Sequence, residues 1–289
     1  MHPAHHRIGM RPWRRGLALI GQSPMAVAGL AIVLGWIAVA LLAPALAPFP
    51  PNATLQPFAK PGASFAGGGT FWLGSDHLGR DILSRIIWGS RRVLGYATLA
   101  TASAYGVGIA LGLTAGYARG WIDETLSRVS DIVLSFPVLV LYVVIISTVG
   151  PSGVTIVLAV TFAAAPAIMR IVRGLVLELR ERDFVAAARL RGESALFITL
   201  VEILPNAQGP LIVDACLRLG YVTITIGVLG FLGLGLPPPD PDWGGMVNET
   251  RAMALVMPHM AVFPCLAISS LVLGLNLLAD GLSERADRD

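Results

Sequence analysis

Six long apolar runs alternate with short breaks along the chain, at residues 25–47, 93–117, 129–149, 154–172, 210–236 and 259–279. Each is close to the ~20 residues a helix needs to cross the hydrocarbon core. The pattern therefore predicts an all-α polytopic membrane protein of six transmembrane helices. The breaks carry residues that stop helices: Pro44, Pro48, Pro50 and Pro51 end the first run, and Pro237-Pro238-Pro239 ends the fifth. Between the third and fourth, Gly150-Pro151-Ser152-Gly153 reads as a tight turn. Two interruptions are longer and charged, residues 48–92 and 173–207. The organisation read from this pattern is a tail (1–24), a first span (25–47), an external segment (48–92), a core of five spans (93–282) that includes the loop 173–207, and a short tail (283–289).

Composition agrees with the pattern. Of 289 residues, 55% are hydrophobic and 13% charged, about half the charge of a soluble domain, and the mean hydropathy is +0.71. The basic residues are nearly all arginine, Lys60 being the one lysine. With six spans, Arg7, Arg11, Arg14, Arg15, Arg119, Arg128, Arg170, Arg173, Arg180, Arg182, Arg189, Arg191, Arg285 and Arg288 fall on one side. By the positive-inside rule that side is cytoplasmic, with both termini there. Arg80, Arg85, Arg91 and Arg92 run against this count, since they land outside next to a span. No basic face with interleaved aromatics suggests a nucleic-acid partner. Arg7 to Arg15 followed by an apolar run reads as an uncleaved first span, because the run is long and lacks a small-residue cleavage site. Cys216 and Cys265 read as buried free thiols, and His2, His5 and His6 as part of a solvated tail.

The loop from Asp183 to Asn206 is the charged, helix-compatible stretch of the second half. Asp183, Phe184, Ala186, Ala187 and Ala188 favour a helix, Gly192 turns it, and a second helix from Glu193 to about Glu202 ends near Leu204 and Pro205. A loop that only joined two spans needs few residues, so this elbow is expected to touch a partner. On the other side, Ser75 or Asp76 is placed to cap an amphipathic helix lying at the membrane surface. Asp81 and Arg85 there have the spacing of an ion pair. This stretch reads either as a structural re-entry helix or as a grip for an external protein. Gly108, Gly112 and Gly116 repeat every four residues, the spacing of close helix packing. Gly227, Gly230, Gly233 and Gly235 fit packing or the bending of a gate.

Energy supply narrows the function. Ion-coupled transporters place charges inside the membrane because the charge is their mechanism. Here the span middles are nearly free of them: Asp214 and Arg218, one turn apart near the inner end of the fifth span, read as a mutual pair. Walker A needs a lysine after its glycines, and Lys60 lies in Ala-Lys-Pro-Gly. No hydrolase constellation appears either. Uphill transport by this chain would draw its energy from a partner through the elbow.

Several separated stretches carry a resemblance. Ala186-Ala187 with Gly192 and Ile203-Leu204-Pro205-Asn206 resemble the "EAA" loop of ABC-importer permeases, although Ala186 stands at the usual glutamate and Glu202 at a frequent basic position. Four further stretches are similar to the dipeptide/oligopeptide/nickel branch of that family. They are Leu73 to Arg85, Phe231 to Gly235 with its prolines, Asp242-Trp243-Gly244 with Met246, and Phe263-Pro264 with Asn276 to Leu282.

The resemblance implies a type I ABC importer permease fold and a "C"-type, non-catalytic pore subunit for short peptides in a bacterial inner membrane. The implied partners are a homologous permease, two ATPases that bind the ATP and magnesium, and an extracytoplasmic substrate-binding protein. Asp183, Phe184, Ala186, Ala187, Ala188, Gly192, Leu204 and Pro205 would form the ATPase-coupling loop. Asp76, Gly79, Arg80, Asp81, Arg85, Asp242 and Trp243 would form the external lip. No cofactor or metal is expected on this chain. Glutathione or a nickel chelate is the alternative cargo, and an ion-coupled transporter the remote one.

Overall fold

The computed structural model describes residues 23–65 and 67–286; the N-terminal histidines and first arginines lie outside the described residues. Among the described residues five helices are long and apolar enough to cross a membrane, and a sharply bent helix pair makes a sixth if the two halves count as one span. α1 (Pro24–Leu41) starts where the Ser23 hydroxyl accepts from the Ala26 amide and Pro24 takes the first helical position. A short α2 (Ala43–Leu46) follows. β1 (Ala63–Phe65) and β2 (Gly69–Phe71) then form a small antiparallel hairpin that the apolar pattern did not predict. It is pinned by Phe49, Phe65 and Phe71, whose ring centroids lie 5.2 to 5.9 Å apart.

α3 (Ile82–Ala118) is a single helix of 37 residues. The surface helix expected to precede the second span is therefore not a separate element. Residues 75–81 form turns, Asp81 is the N-cap, and the helix runs unbroken into the membrane. The third span departs in the opposite sense. It is two helices, α4 (Gly120–Leu134) and α5 (Val138–Val149), bent by 86°. Apolar content is continuous there, but Pro137 cannot supply the amide that would carry the helix on, and α5 restarts after it.

α6 (Gly153–Leu179) lies along α3, and the glycine ladder sets their separation. A β-carbon at Gly108, Gly112 or Gly116 would come within 2.6 to 2.7 Å of Ile168, Val172 or Val176. The packing reading of that repeat is correct. α7 (Asp183–Leu190) and α8 (Ala195–Asn206, with a π-helical stretch at Ile198–Ile203) make the elbow. α9 (Gln208–Phe231), α10 (Trp243–Thr250) and α11 (His259–Ala286) complete the chain. α11 packs on α1 with Gly274 facing Ile32 and Gly281 facing Ala26. Both cysteines are free thiols as expected, but Cys265 is exposed and Cys216 half-buried, where their apolar context predicted burial.

Candidate functional site

The elbow is built on a divided helix. Val185 and Ala188 on α7 are fully buried, in one cluster with Ile198 and Ile203 of α8 and with Val172 and Val176 of α6. Phe184 and Leu204 pack against that cluster from its edge. The other face of α7 is open: Asp183, Ala186, Ala187 and Leu190 are exposed, Leu190 by 90%. These positions recur at three- and four-residue steps, so they form one stripe along the helix. Gly192 makes the turn at φ +78°, a conformation that costs other residues about 1–2 kcal/mol. Open space surrounds it, so the demand on glycine is conformational, not steric. Ser194 then caps α8 by accepting from the Phe197 amide at 3.2 Å. Leu196, Phe197, Leu200 and Val201 extend the apolar exposure along α8, and Pro205 is exposed at its end.

Charge ties this elbow to the bundle. Arg180 donates to the carbonyls of Gly116 and Tyr117 at 3.2 and 3.3 Å, and Arg189 sits 5.7 Å from the Tyr117 ring centre. Glu202 is held by Arg191 at 3.0 Å across the turn. The glutamate at that position thus closes the elbow on itself, and Ala186, where a glutamate is usual, leaves a small exposed surface.

The opposite end is a locked cap. Asp76 accepts from the Leu78 and Arg80 amides at 2.9 Å, and from Arg80 Nε at 2.6 Å. Arg80 Nη2 also donates to Glu249 on α10, and Arg85 Nη2 lies 3.6 Å from the same carboxylate. The expected Asp81–Arg85 pair does not form. Asp81 instead turns back to accept from the Ser84 amide at 2.7 Å and cap α3, while Arg85 reaches a distant helix. Trp243 is fully buried, donates from Nε1 to the Ile86 carbonyl at 3.0 Å, and packs against Trp36 with ring centroids 4.9 Å apart and planes tilted by 60°.

Asp76, Gly79, Arg80, Asp81, Arg85, Asp242 and Trp243 are thus all buried. Their side chains face inward and hold the cap together, so these residues themselves leave little surface for an external protein. The pairing also accounts for three of the four arginines that ran against the charge count: Arg80, Arg85 and Arg92 face Asp76, Glu249 and Asp240, while Arg91 makes no ion pair among the described residues. Glu249, the centre of the lock, is the residue sequence reasoning missed. Gly230, near the end of α9, and Gly235 beyond it belong to the same packing, since a β-carbon on either would meet Asp242 at 2.2 or 2.5 Å.

Asp242 caps α10, accepting from the Gly244 and Gly245 amides at 3.3 and 3.1 Å. Burial pushes its carboxyl from an ordinary 3.8 up to about 6, against the pull of those two donors. The folded carboxyl holds its proton more tightly than the unfolded one. Stability is therefore expected to fall as pH rises from about 4 to about 6, by on the order of 3 kcal/mol, and to stay level above. Asp242→Asn keeps one of the two acceptor oxygens of the cap and removes the titration, so thermal midpoints of that variant should lose this slope whatever their absolute level. An unchanged slope would assign it to another group.

Between the two ends, Asp214 and Arg218 pair as expected, at 2.7 Å, and the Tyr105 hydroxyl donates to the same carboxylate. With α9 running from Gln208 to Phe231, Arg218 lies near the middle of its helix and not at the inner end.

Apolar helices that cross the membrane, one broken span and an open elbow between α6 and α9 define a multi-pass transport permease. The comparisons narrow the class. Residues 108–289 match the family described as binding-protein-dependent transport system inner membrane component. Residues 11–61 match the N-terminal transmembrane domain of oligopeptide transport permease C. The chain belongs to this inner-membrane component family. The dipeptide transport system permease protein DppC of Alkalihalophilus pseudofirmus is 35% identical over 291 residues, covering 99% of this chain and 92% of its own. The glutathione transport system permease protein GsiD of Pectobacterium atrosepticum is 38% identical over 277 residues, covering 96% and 91%. The fold is also that of the inward-facing MetNI methionine ABC transporter, with a TM-score of 0.56 at 18% identity over 70% of this chain and 97% of that one.

Proposed function

We propose that this chain is one half of the pore of an ATP-driven importer of short peptides. It pairs with a homologous permease, and two ATPase subunits bind the ATP and magnesium and do the hydrolysis. A substrate-binding protein delivers cargo from outside, and the chain itself catalyses no reaction. The observation that carries the reading is the likeness to a dipeptide permease along nearly the whole chain. The glutathione permease, similar to the same extent, supports a second reading in which the cargo is that tripeptide. The elbow faces the cytoplasm, with Arg119, Arg128, Arg170, Arg173, Arg180, Arg182, Arg189 and Arg191 gathered toward its end of the bundle, and both termini lie on that side.

In this reading the stripe of Asp183, Ala186, Ala187 and Leu190, continued by Leu196 and Leu200, docks into an ATPase and passes its motion to α6 and α9. Reconstitution of the assembled importer, with ATP-dependent uptake of labelled dialanine and of glutathione measured side by side, tests the cargo. Uptake of neither overturns the reading.

Ala187→Glu tests the coupling. Ala187 is exposed, so the fold should change by no more than about 0.5 kcal/mol. Uptake should fall about tenfold or more, because an unpaired charge buried in an interface costs over ~1.4 kcal/mol. Substrate-stimulated ATPase activity equal to wild type in that variant would sink the docking assignment.

A further inference from the structure

A cavity of about 370 Å³ lies between α3, α5, α6 and α9, lined by the middle of the bundle. Alanines 163, 164 and 167 of α6 make much of its wall, yet polar groups without a protein partner also line it. Thr101 Oγ1 is buried with no hydrogen bond, on a residue only 8% exposed. Arg218 spends Nε on Asp214, with the Tyr105 hydroxyl beside the same pair, and its guanidinium also lines the cavity. Asp214 itself is not part of the cavity wall. Tyr142 contributes a phenol that donates to nothing among the described residues. The break between α4 and α5 borders the same space through Leu134 and Val138. There α5 begins without a side-chain cap, its partial positive end unneutralised.

These features point to one kind of ligand. An arginine deep in a membrane protein is costly and faces a water-filled path or a partner. Broken helices occur at such depth where they line a cavity. A guanidinium fork, a hydroxyl, a phenol and a helix N-terminus all offer positive potential or donors. A small peptide carries a free carboxylate, whose transfer through a low-dielectric layer without a partner is among the most expensive parts of moving it.

We propose that this cavity is a carboxylate station on the translocation path, where the Nη groups of Arg218, with Thr101 and Tyr142, receive the substrate's free carboxylate at mid-membrane. The proposal rests on the reading that the chain passes short peptides or glutathione, both of which carry free carboxylates. The receiving groups belong to the pore, so they act after the binding protein has made its own selection.

The test compares dialanine with dialanine amide in liposomes holding the complete importer, with the binding protein saturated by each. Wild type should carry dialanine about tenfold faster, the worth of one charge-assisted hydrogen bond. Arg218→Lys, which keeps the charge and loses the fork, should retain part of that preference. In the double variant D214N/R218Q the pair stays neutral and hydrogen-bonded, and the ratio should collapse to about one. Fewer assembled complexes would lower both rates together and leave the ratio untouched, so folding losses do not mimic the result. Equal rates for the two substrates in wild type, or a full preference surviving in the double variant, overturn the station. An importer that carries neither dialanine nor glutathione overturns the function proposed above and this inference with it. One that carries dialanine with an unchanged ratio overturns this inference alone.

Discussion

Glu249→Ala is expected to loosen the outer cap by about 3–5 kcal/mol, the cost of stripping the partner from a buried charge. Arg80 would keep Asp76 at 2.6 Å, so the loss falls mainly on Arg85. Arg85 is 1% exposed, its Nε and Nη1 have no hydrogen-bond partner, and Glu249 is the one carboxylate within 4 Å of it among the described residues. Glu249→Gln retains a hydrogen-bond acceptor and should cost roughly half as much. Arg85→Leu combined with Glu249→Ala removes both charges, and the double variant should be more stable than Glu249→Ala alone. Thermal unfolding in detergent reads the order, and amide exchange over residues 243–250 shows whether α10 is what detaches. Equal midpoints for wild type and Glu249→Ala would mean that Trp243 and its bond to Ile86 hold the cap without the ions.

Why this lock was hidden while the spans were legible is a matter of range. Apolar runs, stop residues and the four-residue glycine repeat are local signals, and the spans, the turn at residues 150–153 and the close-packing face of α3 follow from them; which helix meets that face does not. Asp81 and Arg85 also give a local signal, the spacing of a helical ion pair, but Asp81 sits at the helix start. There a carboxylate gains more by capping a free amide than by facing a side chain one turn on. Glu249 lies in Val-Asn-Glu-Thr between two external stretches, where nothing nearby marks it. Only the fold brings it to Arg80 and Arg85.

The break at Ser135-Phe136-Pro137 did leave a mark in its proline. Unbroken hydrophobicity on both sides outweighed it, because hydropathy reports burial in lipid and says nothing of direction. For the elbow, helix propensity and one glycine sufficed to place two helices and a turn. They did not show which alanines face outward; burial of Val185 and Ala188 against α6 and α8 decides that.

A large steric effect is expected at Gly112, inside the α3–α6 contact. A β-carbon there would lie 2.6 Å from Val172 Cβ, 2.8 Å from Val172 Cγ1 and 2.8 Å from the Met169 carbonyl oxygen. The first and last of these belong to main chain or to the root of a side chain, so no rotamer change relieves them, and α3 must move off α6. Overpacking that a side chain can absorb costs about 1–3 kcal/mol. Gly112→Ala should lie at or above the top of that range, and Gly112→Leu should prevent assembly. Shortening the neighbour is no remedy: Val172→Ala keeps Cβ and leaves the Met169 carbonyl in place, so Gly112→Ala with Val172→Ala should remain as unstable as the single variant. Gly227 supplies the contrast, because its nearest atom is Ile268 Cδ1 at 3.0 Å, the far end of a flexible side chain. Gly227→Ala is accordingly expected within about 1 kcal/mol of wild type. Side-by-side unfolding midpoints separate the two cases. Rescue of Gly112→Ala by Val172→Ala would show that α3 and α6 are spaced by side chains and not by backbone contact.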